Sequence, residues 1–326
     1  MNILEVNDLH VRFRTQGALQ AMFLRNPDPY IYAVNQVSFA IEEGTTYTLV
    51  GESGSGKSTL ALAVAGLLPS SKGSIAFCGD EVTEMSNMEM QAYRQKISMM
   101  WQNPTGSLSP RLTVGSLITE PYKIHGLKDR DLQSECKRLL EMVGLPSHFS
   151  ERYPHQLSGG QARRVGVARA LALNPKLIIA DEPTAGLDVS VQGEILNLLN
   201  SLQDKWGISM FVITHNLNVV RHISDYTSVM YLGRFIEHGQ TDDIFADPKH
   251  PYTQALLSAN PEPKPNQEKT SIELIGEVPS LLKRPTGCEF HTRCPFVQES
   301  CQQTLPELEA QDKQFYRCHF PLKKTG

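Results

Sequence analysis

"TYTLVGESGSGKSTLALAVAGLL", residues 46–68, decides the fold. A short apolar run ends at Gly51, a glycine-rich turn follows, and a second apolar stretch then reads as a buried helix. Gly51, Gly54 and Gly56 let the backbone curl so that its N–H groups point inward around one anion, and the helix start adds positive potential there. The spacing is that of a phosphate-binding loop, G-x-x-x-x-G-K-[ST]. Lys57 would reach the outer phosphates of a nucleotide, Ser58 would hold Mg²⁺ through its hydroxyl, and Ser53, Ser55 and Thr59 belong to the same loop. A glycine-rich turn alone would only reverse the chain. The strand before it and the helix after it favour the phosphate.

Outward from the loop, "KLIIADEP" (176–183) and "ISMFVITH" (208–215) read as further buried strands, the first ended by Pro183. Between them "VQGEILNLLNSLQDKW" puts Ile195, Leu198, Leu199, Leu202 and Trp206 on one helical stripe. Strands alternating with helices predict an α/β domain with a largely parallel sheet. Residues 103–175 are mostly helical by pattern and interrupt that alternation as an inserted subdomain. "NPEPKPNQEKTS" (260–271) is a Pro-rich polar linker. The organisation expected is a nucleotide-binding domain over 1–258 and a C-terminal tail over 259–326.

Composition sets outer bounds. The 326 residues carry 31 basic and 35 acidic side chains, a net charge of −4, so no global basic field points to nucleic acid. The N-terminal stretch lacks a basic-then-apolar signal pattern, and no apolar run approaches the ~20 residues of a membrane helix. A soluble chain in a reducing, cytosolic setting is expected, with membrane work left to partners. In that setting clustered cysteines are metal ligands sooner than disulfides.

A second half of the site lies in "LIIADEP". Asp181, at a buried strand's end, can hold the Mg²⁺ shell, and Glu182 beside it can polarise an attacking water. Two carboxylates alone would read as a solvated turn; joined to the phosphate loop they read as catalytic. "LSGGQ" (157–161) then starts another helix, with Ser158, Gly159, Gly160 and Gln161 forming a second anion-binding terminus. Two such helix ends about a hundred residues apart suggest that each serves a different nucleotide.

These motifs resemble those of the ATP-binding-cassette (ABC) ATPases. Phosphate loop 51–58, Gln102 in "MMWQNP", the 157–161 signature, "LIIADE" (177–182), "AGLD" (185–188) and "ITH" ending at His215 stand in the family's order and approximate spacing. The resemblance spans about residues 3–255. It implies a P-loop fold with a parallel-sheet core, an N-terminal antiparallel β part and an inserted helical subdomain. It also implies that two such domains close head to tail, with Ser158 and Gly160 of one facing the γ-phosphate held by the other. Gln102 would sense Mg²⁺ and contact a transmembrane partner, Asp188 would cross the dimer interface, and His215 would hold the γ-phosphate. An aromatic should stack on adenine: Phe13 fits the usual register, with Tyr30 or Tyr32 as replacements after the long excursion that follows it.

Within the family, "GESGSGKST", "DPKHPYTQALL" (247–257) and "GCEFHTRCP" (287–295) look like the ATPase subunits of oligopeptide and dipeptide importers. The implied partners are a second ABC ATPase subunit, the same or a sister, two transmembrane permease subunits and a periplasmic or extracellular substrate-binding protein. The implied place is the cytoplasmic face of the inner membrane, as a peripheral subunit. Related members serve nickel, glutathione or antimicrobial peptides. The run "QARRV" departs from the commoner Gln-Gln-Gln-Arg-Val on a helix flank, expected to stay clear of the ligand groups. A soluble cassette acting on DNA or ribosomes would bring two cassettes, coiled-coil arms or basic inserts; this chain shows a single cassette, no heptads and a negative charge. A redox-responsive regulator, in which the tail is the function, is a further class.

Cys288, Cys294, Cys301 and Cys318 form C-x5-C-x6-C-x16-C, unlike the paired C-x2-C knuckles of structural zinc sites. Four thiolates suit an Fe–S cluster or zinc. A short, Pro-rich tail poor in apolar residues would need such a staple to fold, where four unlinked thiols would not hold it. Some peptide-importer ATPases hold a [4Fe–4S] cluster in this tail, and the resemblance implies one here in a small Cys-rich C-terminal domain, with zinc as the alternative. Cys78 and Cys136 stand apart as ordinary buried residues.

Overall fold

The apolar runs become the centre of an eight-stranded sheet in the computed structural model, which describes residues 1–15, 30–102, 104–127, 129–259, 274, 276–311 and 313–323. The linker 260–271 and most of the excursion after Phe13 lie outside the described residues. In chain order the first strands are β1 (Asn2–Arg14), β2 (Tyr30–Glu42), β3 (Thr46–Val50), β4 (Lys72–Phe77), β5 (Asp80–Glu81) and β6 (Ile97–Met100). They are followed by β7 (Leu177–Asp181), β8 (Ser209–Thr214), β9 (Tyr226–Tyr231), β10 (Arg234–Gln240), β11 (Glu309–Gln311) and β12 (Gln314–Tyr316).

Strands β6, β7, β8, β3 and β9 are successive parallel neighbours. Every residue of β3 and β8 is buried, because helices or a second sheet cover both faces; such strands read as continuous apolar runs rather than alternating ones. β1, β2, β4 and β5 form the separate antiparallel sheet, in the order β2-β1-β4-β5. That sheet packs Leu4, Val34 and Ile41 onto the helix Lys57–Val64 and onto Phe211 and Ile213 of the main sheet. The opposite face of the main sheet, with Ile178, Ala180 and Val212, takes the helices Gly159–Leu171 and Val189–Trp206.

Between the sheet neighbours β6 and β7 the chain leaves to build the inserted helices. Val114–Ile124 is capped by Thr113, Leu132–Met142 by Asp131 and Gly159–Leu171 by Ser158, each cap accepting from an amide of the first turn. On Val189–Trp206, Ile195, Leu199 and Leu202 are buried as their spacing predicts. Trp206 is 56% exposed instead, at the last residue of the helix, which Gly207 ends at φ +63°.

The described part of the tail forms no distinct domain. β10 runs antiparallel to β9, and β12 and β11 continue the same sheet beyond it, with Glu237 opposite Tyr316 and His238 opposite Phe315. Phe290 packs edge-on to Tyr231 at 5.4 Å and against Tyr252 at 5.3 Å, within a cluster built on Val229 and Ile236. The fully buried Glu237 carboxylate accepts from the amides of Lys249 and His250 and from Gln314 Nε2 at 2.6, 2.9 and 2.5 Å. One side chain thereby joins β10, the 247–251 stretch and β12.

Candidate functional site

The loop after β3 wraps the N-terminus of Lys57–Val64 as its glycines predict. Gly56, the residue before the helix, has φ +106°, and a Cβ there would meet the Ala33 carbonyl oxygen at 2.1 Å. Only glycine fits that approach. Ser53, Gly54, Gly56, Lys57, Ser58 and Thr59 line a cleft of about 620 Å³, while Ser55 and Gly51 are buried beneath it. Lys57 Nζ donates to the carbonyls of Gly51 and Glu52, both at 2.8 Å, and to Ser55 Oγ at 3.3 Å. Burial pulls the lysine pKa down; the carboxylates of Glu182, Asp181 and Glu52 oppose that shift. A cation folded over its own loop, beside free space and a helix start, fits a phosphate chain.

Across the cleft stand Gln102, Asp181, Glu182 and His215. Ser58 Oγ donates to Asp181 Oδ2 at 3.1 Å, and burial raises the Asp181 carboxyl above its ordinary range. A hydroxyl and a carboxylate side by side fit Mg²⁺, which takes few protein oxygens and fills its octahedron with phosphate and water. Glu182 follows β7 at φ +51°. Its Oε1 accepts from the His215 amide at 3.1 Å and lies 2.5 Å from His215 Nδ1, while Oε2 accepts from Thr214 Oγ1 at 3.2 Å. The carboxylate is buried and aimed; the imidazole is 70% exposed.

The other expected residues fall elsewhere. Ser158, Gly159, Gly160 and Gln161 are not in the cleft's lining. They open their own helix through a capping box, Ser158 Oγ accepting from the Gln161 amide at 3.2 Å and Gln161 Oε1 accepting from the Ser158 amide at 3.0 Å. Asp188 caps Val189–Trp206, accepting from the Val191 amide at 3.0 Å and Ser190 Oγ at 2.7 Å. Those bonds hold its carboxyl below the usual range. Phe13 lies opposite Ile31 on the β1–β2 ladder, 42% exposed, and is not in the lining. Tyr30 stacks under the Arg12 guanidinium at 4.1 Å, and the Tyr32 carbonyl accepts from Arg284.

The tail cysteines overturn an expectation. Cys288, Cys294, Cys301 and Cys318 are free thiols, and among the described residues no group of three or more His, Cys, Asp or Glu side chains is placed to hold a metal ion. The described residues thus show no site for the expected [4Fe–4S] cluster or for zinc. The staple argument fails because the tail is held by β12 on β10, by Phe290 in an apolar cluster and by ion pairs. Cys288 and Cys294 pack against that cluster as apolar groups. Burial pushes the Cys288 thiol up to about 12 and Cys318 up to about 11, and raises Cys294 too.

Two features escape a local reading of the sequence. Arg163, 1% exposed, donates to the carbonyls of Gln102 at 3.1 Å, Trp101 at 3.3 Å and Ala185 at 3.0 Å. The departure "QARRV" therefore does reach the site's backbone, and it was the signal available. Leu281, from the tail, lines the cleft, and nothing in its sequence surroundings marks it.

A family model described as "ABC transporter" matches residues 34–185, and one described as "Oligopeptide/dipeptide transporter, C-terminal region" matches 236–301. The oligopeptide transport ATP-binding protein OppF of Escherichia coli is 43% identical over 97% of this chain and 95% of its own length. The di/tripeptide transport ATP-binding protein DppF of Pseudomonas aeruginosa is 44% identical over 91% and 92%. Among solved structures, a dimeric post-hydrolysis state of the ATP-binding cassette MJ0796 with ADP and Pi superposes with a TM-score of 0.63 at 28% identity, covering 73% of this chain and 98% of that one. CbiO1 from Clostridium perfringens, part of the complex CbiONQ, gives 0.63 and 28%, covering 75% and 91%.

Proposed function

This chain belongs to the ABC-transporter ATPase subunits of the oligopeptide/dipeptide importer family, and from that membership we propose that it binds and hydrolyses ATP to power peptide uptake through a membrane transporter. The observation that carries the reading is one cleft bordered by Lys57, Ser58, Asp181, Glu182 and His215.

The loop amides and Lys57 bind the phosphates, the ammonium exchanging its carbonyl acceptors for phosphate oxygens. Ser58 and Asp181 would hold Mg²⁺, with Gln102 in the same lining; the ion would supply neutralisation of the phosphate charge. Glu182 Oε1 orients the attacking water and accepts its proton, and His215, bonded to the same oxygen, holds that carboxylate in place and faces the γ-phosphate. Ser158, Gly159, Gly160 and Gln161 act in trans on the nucleotide of a paired ATPase subunit, and Asp188 meets that subunit at the interface. Two permease subunits and a substrate-binding protein complete the transporter, with this chain peripheral on the cytoplasmic face of the inner membrane. Residues 1–258 form the nucleotide-binding unit and 259–326 its tail.

Glu182→Gln keeps the shape but turns one acceptor oxygen into a donor NH₂ and removes the base. In the assembled transporter it should retain MgATP binding while turnover, and uptake of labelled peptide into proteoliposomes, fall by roughly 10²- to 10⁴-fold. Turnover within a few-fold of wild type would refute the role of Glu182.

A further inference from the structure

The tail touches the phosphate loop at Glu52. Arg293, in the short turn His291–Arg293, has a side chain only 5% exposed. Its Nη1 donates to Glu52 Oε2 at 2.6 Å and its Nη2 to Oε1 at 3.1 Å. Glu52 lines the cleft, its amide donates to Tyr252 Oη at 2.9 Å, and its carbonyl is one that Lys57 binds. Phosphate chemistry does not ask for a carboxylate at that place. Unpaired, it would repel a triphosphate across the cleft that it borders. A two-pronged bond from arginine cancels the charge and fixes its direction together.

The stretch just before the arginine is anchored by other pairs. Glu289 pairs with Arg234 at 3.2 Å and with Arg284, and Arg284 Nη2 donates to the Tyr32 carbonyl at 2.9 Å, at the start of β2. Leu281, three residues before Arg284, supplies an apolar group to the same cleft.

We propose that the C-terminal tail is a working wall of the nucleotide site, in which Arg293 is a positioning residue that neutralises Glu52 and so lets the loop accept the triphosphate of MgATP. The proposal rests on the cleft being the MgATP site. Arg293 touches no reacting atom, so its loss acts on affinity before turnover and acts through charge.

The test uses the full chain in the assembled transporter. Arg293→Met should weaken MgATP binding about tenfold at low salt, with kcat at saturation within about threefold of wild type. The penalty should shrink severalfold between about 50 mM and about 500 mM salt, as screening replaces the lost partner. Adding Glu52→Gln to Arg293→Met should recover most of the lost affinity, because the charge left unpaired is removed with it. A penalty that persists in the double variant and ignores salt would mean that Arg293 only supports the fold, and would overturn the proposal; so would the absence of any penalty. Lys57→Ala separates the two levels. Unchanged MgATP binding there would sink the reading of the cleft itself, whereas loss there with no effect at Arg293 would sink only the role of the tail.

Discussion

Burying a guanidinium costs several kcal/mol unless its donors are met. Arg163 offsets most of that cost through its two Nη groups, which donate to the backbone carbonyls of Trp101, Gln102 and Ala185 (three residues before Asp188), while its Nε stays unpaired. The glutamine of the commoner family run has two amide hydrogens and a shorter reach, so it could not bridge all three. The arginine therefore ties the backbone that carries Gln102 to the backbone that leads to Asp188. Arg163→Gln should leave at least one buried carbonyl unmet, at about 1–3 kcal/mol. The expected result is a Tm lower by roughly 2–5 °C and a higher Mg²⁺ requirement for ATP turnover. A variant that melts and titrates with Mg²⁺ like wild type would show that the bridge contributes nothing.

At the scale of elements, the signature helix shows what was legible and what was not. Its start is encoded locally: Ser158 and Gln161 close a capping box, and Val165 and Ala168 face the core. Ser158→Arg removes a cap worth about 1 kcal/mol and sets a bulky cation where a partner's γ-phosphate is proposed to dock. MgATP binding to the isolated subunit should survive, while ATP-driven pairing, followed by sedimentation or light scattering, should fail; loss of binding in the isolated subunit would place the motif in its own chain's site instead. β3, β7 and β8 were equally legible, because strands buried on both faces announce themselves as short apolar runs beside glycine or proline. The phosphate loop and Asp181–Glu182 were legible because each is a continuous stretch. The tail was not. β11 and β12 are three residues each and take their order from β10, some eighty residues away. Arg293 and Glu52 are 241 positions apart. The spaced thiols were the tail's most conspicuous local pattern, and they suggested a metal where packing and ion pairs hold the chain.

For the molecule as a whole, the join between sheet and tail sets the response to acid. His238 lies on β10, stacked at 4.6 Å on Phe315 of β12; His250 caps the helix Pro251–Ser258, its Nδ1 accepting from the Tyr252 amide, with Phe290 at 5.6 Å. Burial pushes their pKa values down to about 4 and about 3, with the Arg317 charge adding to the first. Unfolded, each would take its proton near the ordinary 6.5, so below that pH the unfolded chain binds more protons than the folded one and stability falls as pH drops. At pH 5 each histidine should cost about 2 kcal/mol relative to pH 7.5, a large part of a typical 5–15 kcal/mol. Glu237, bonded to the Lys249 and His250 amides, works the other way: burial raises its carboxyl, so the fold holds that proton more tightly and gains as pH falls. The net slope therefore does not isolate the histidines, but a substitution does. His250→Asn keeps an N-cap acceptor and removes one titrating group, leaving Glu237 and His238 as a common background. Urea unfolding of wild type and variant at pH 7.5 and pH 5 should show the variant losing about 2 kcal/mol less between the two. Equal losses would mean that His250 is not held neutral. Because both rings pack on aromatics of the tail, acid should loosen the tail from β10 before the parallel core gives way, and amide exchange at pH 5 should therefore rise first in residues 314–316 rather than in β3 or β8.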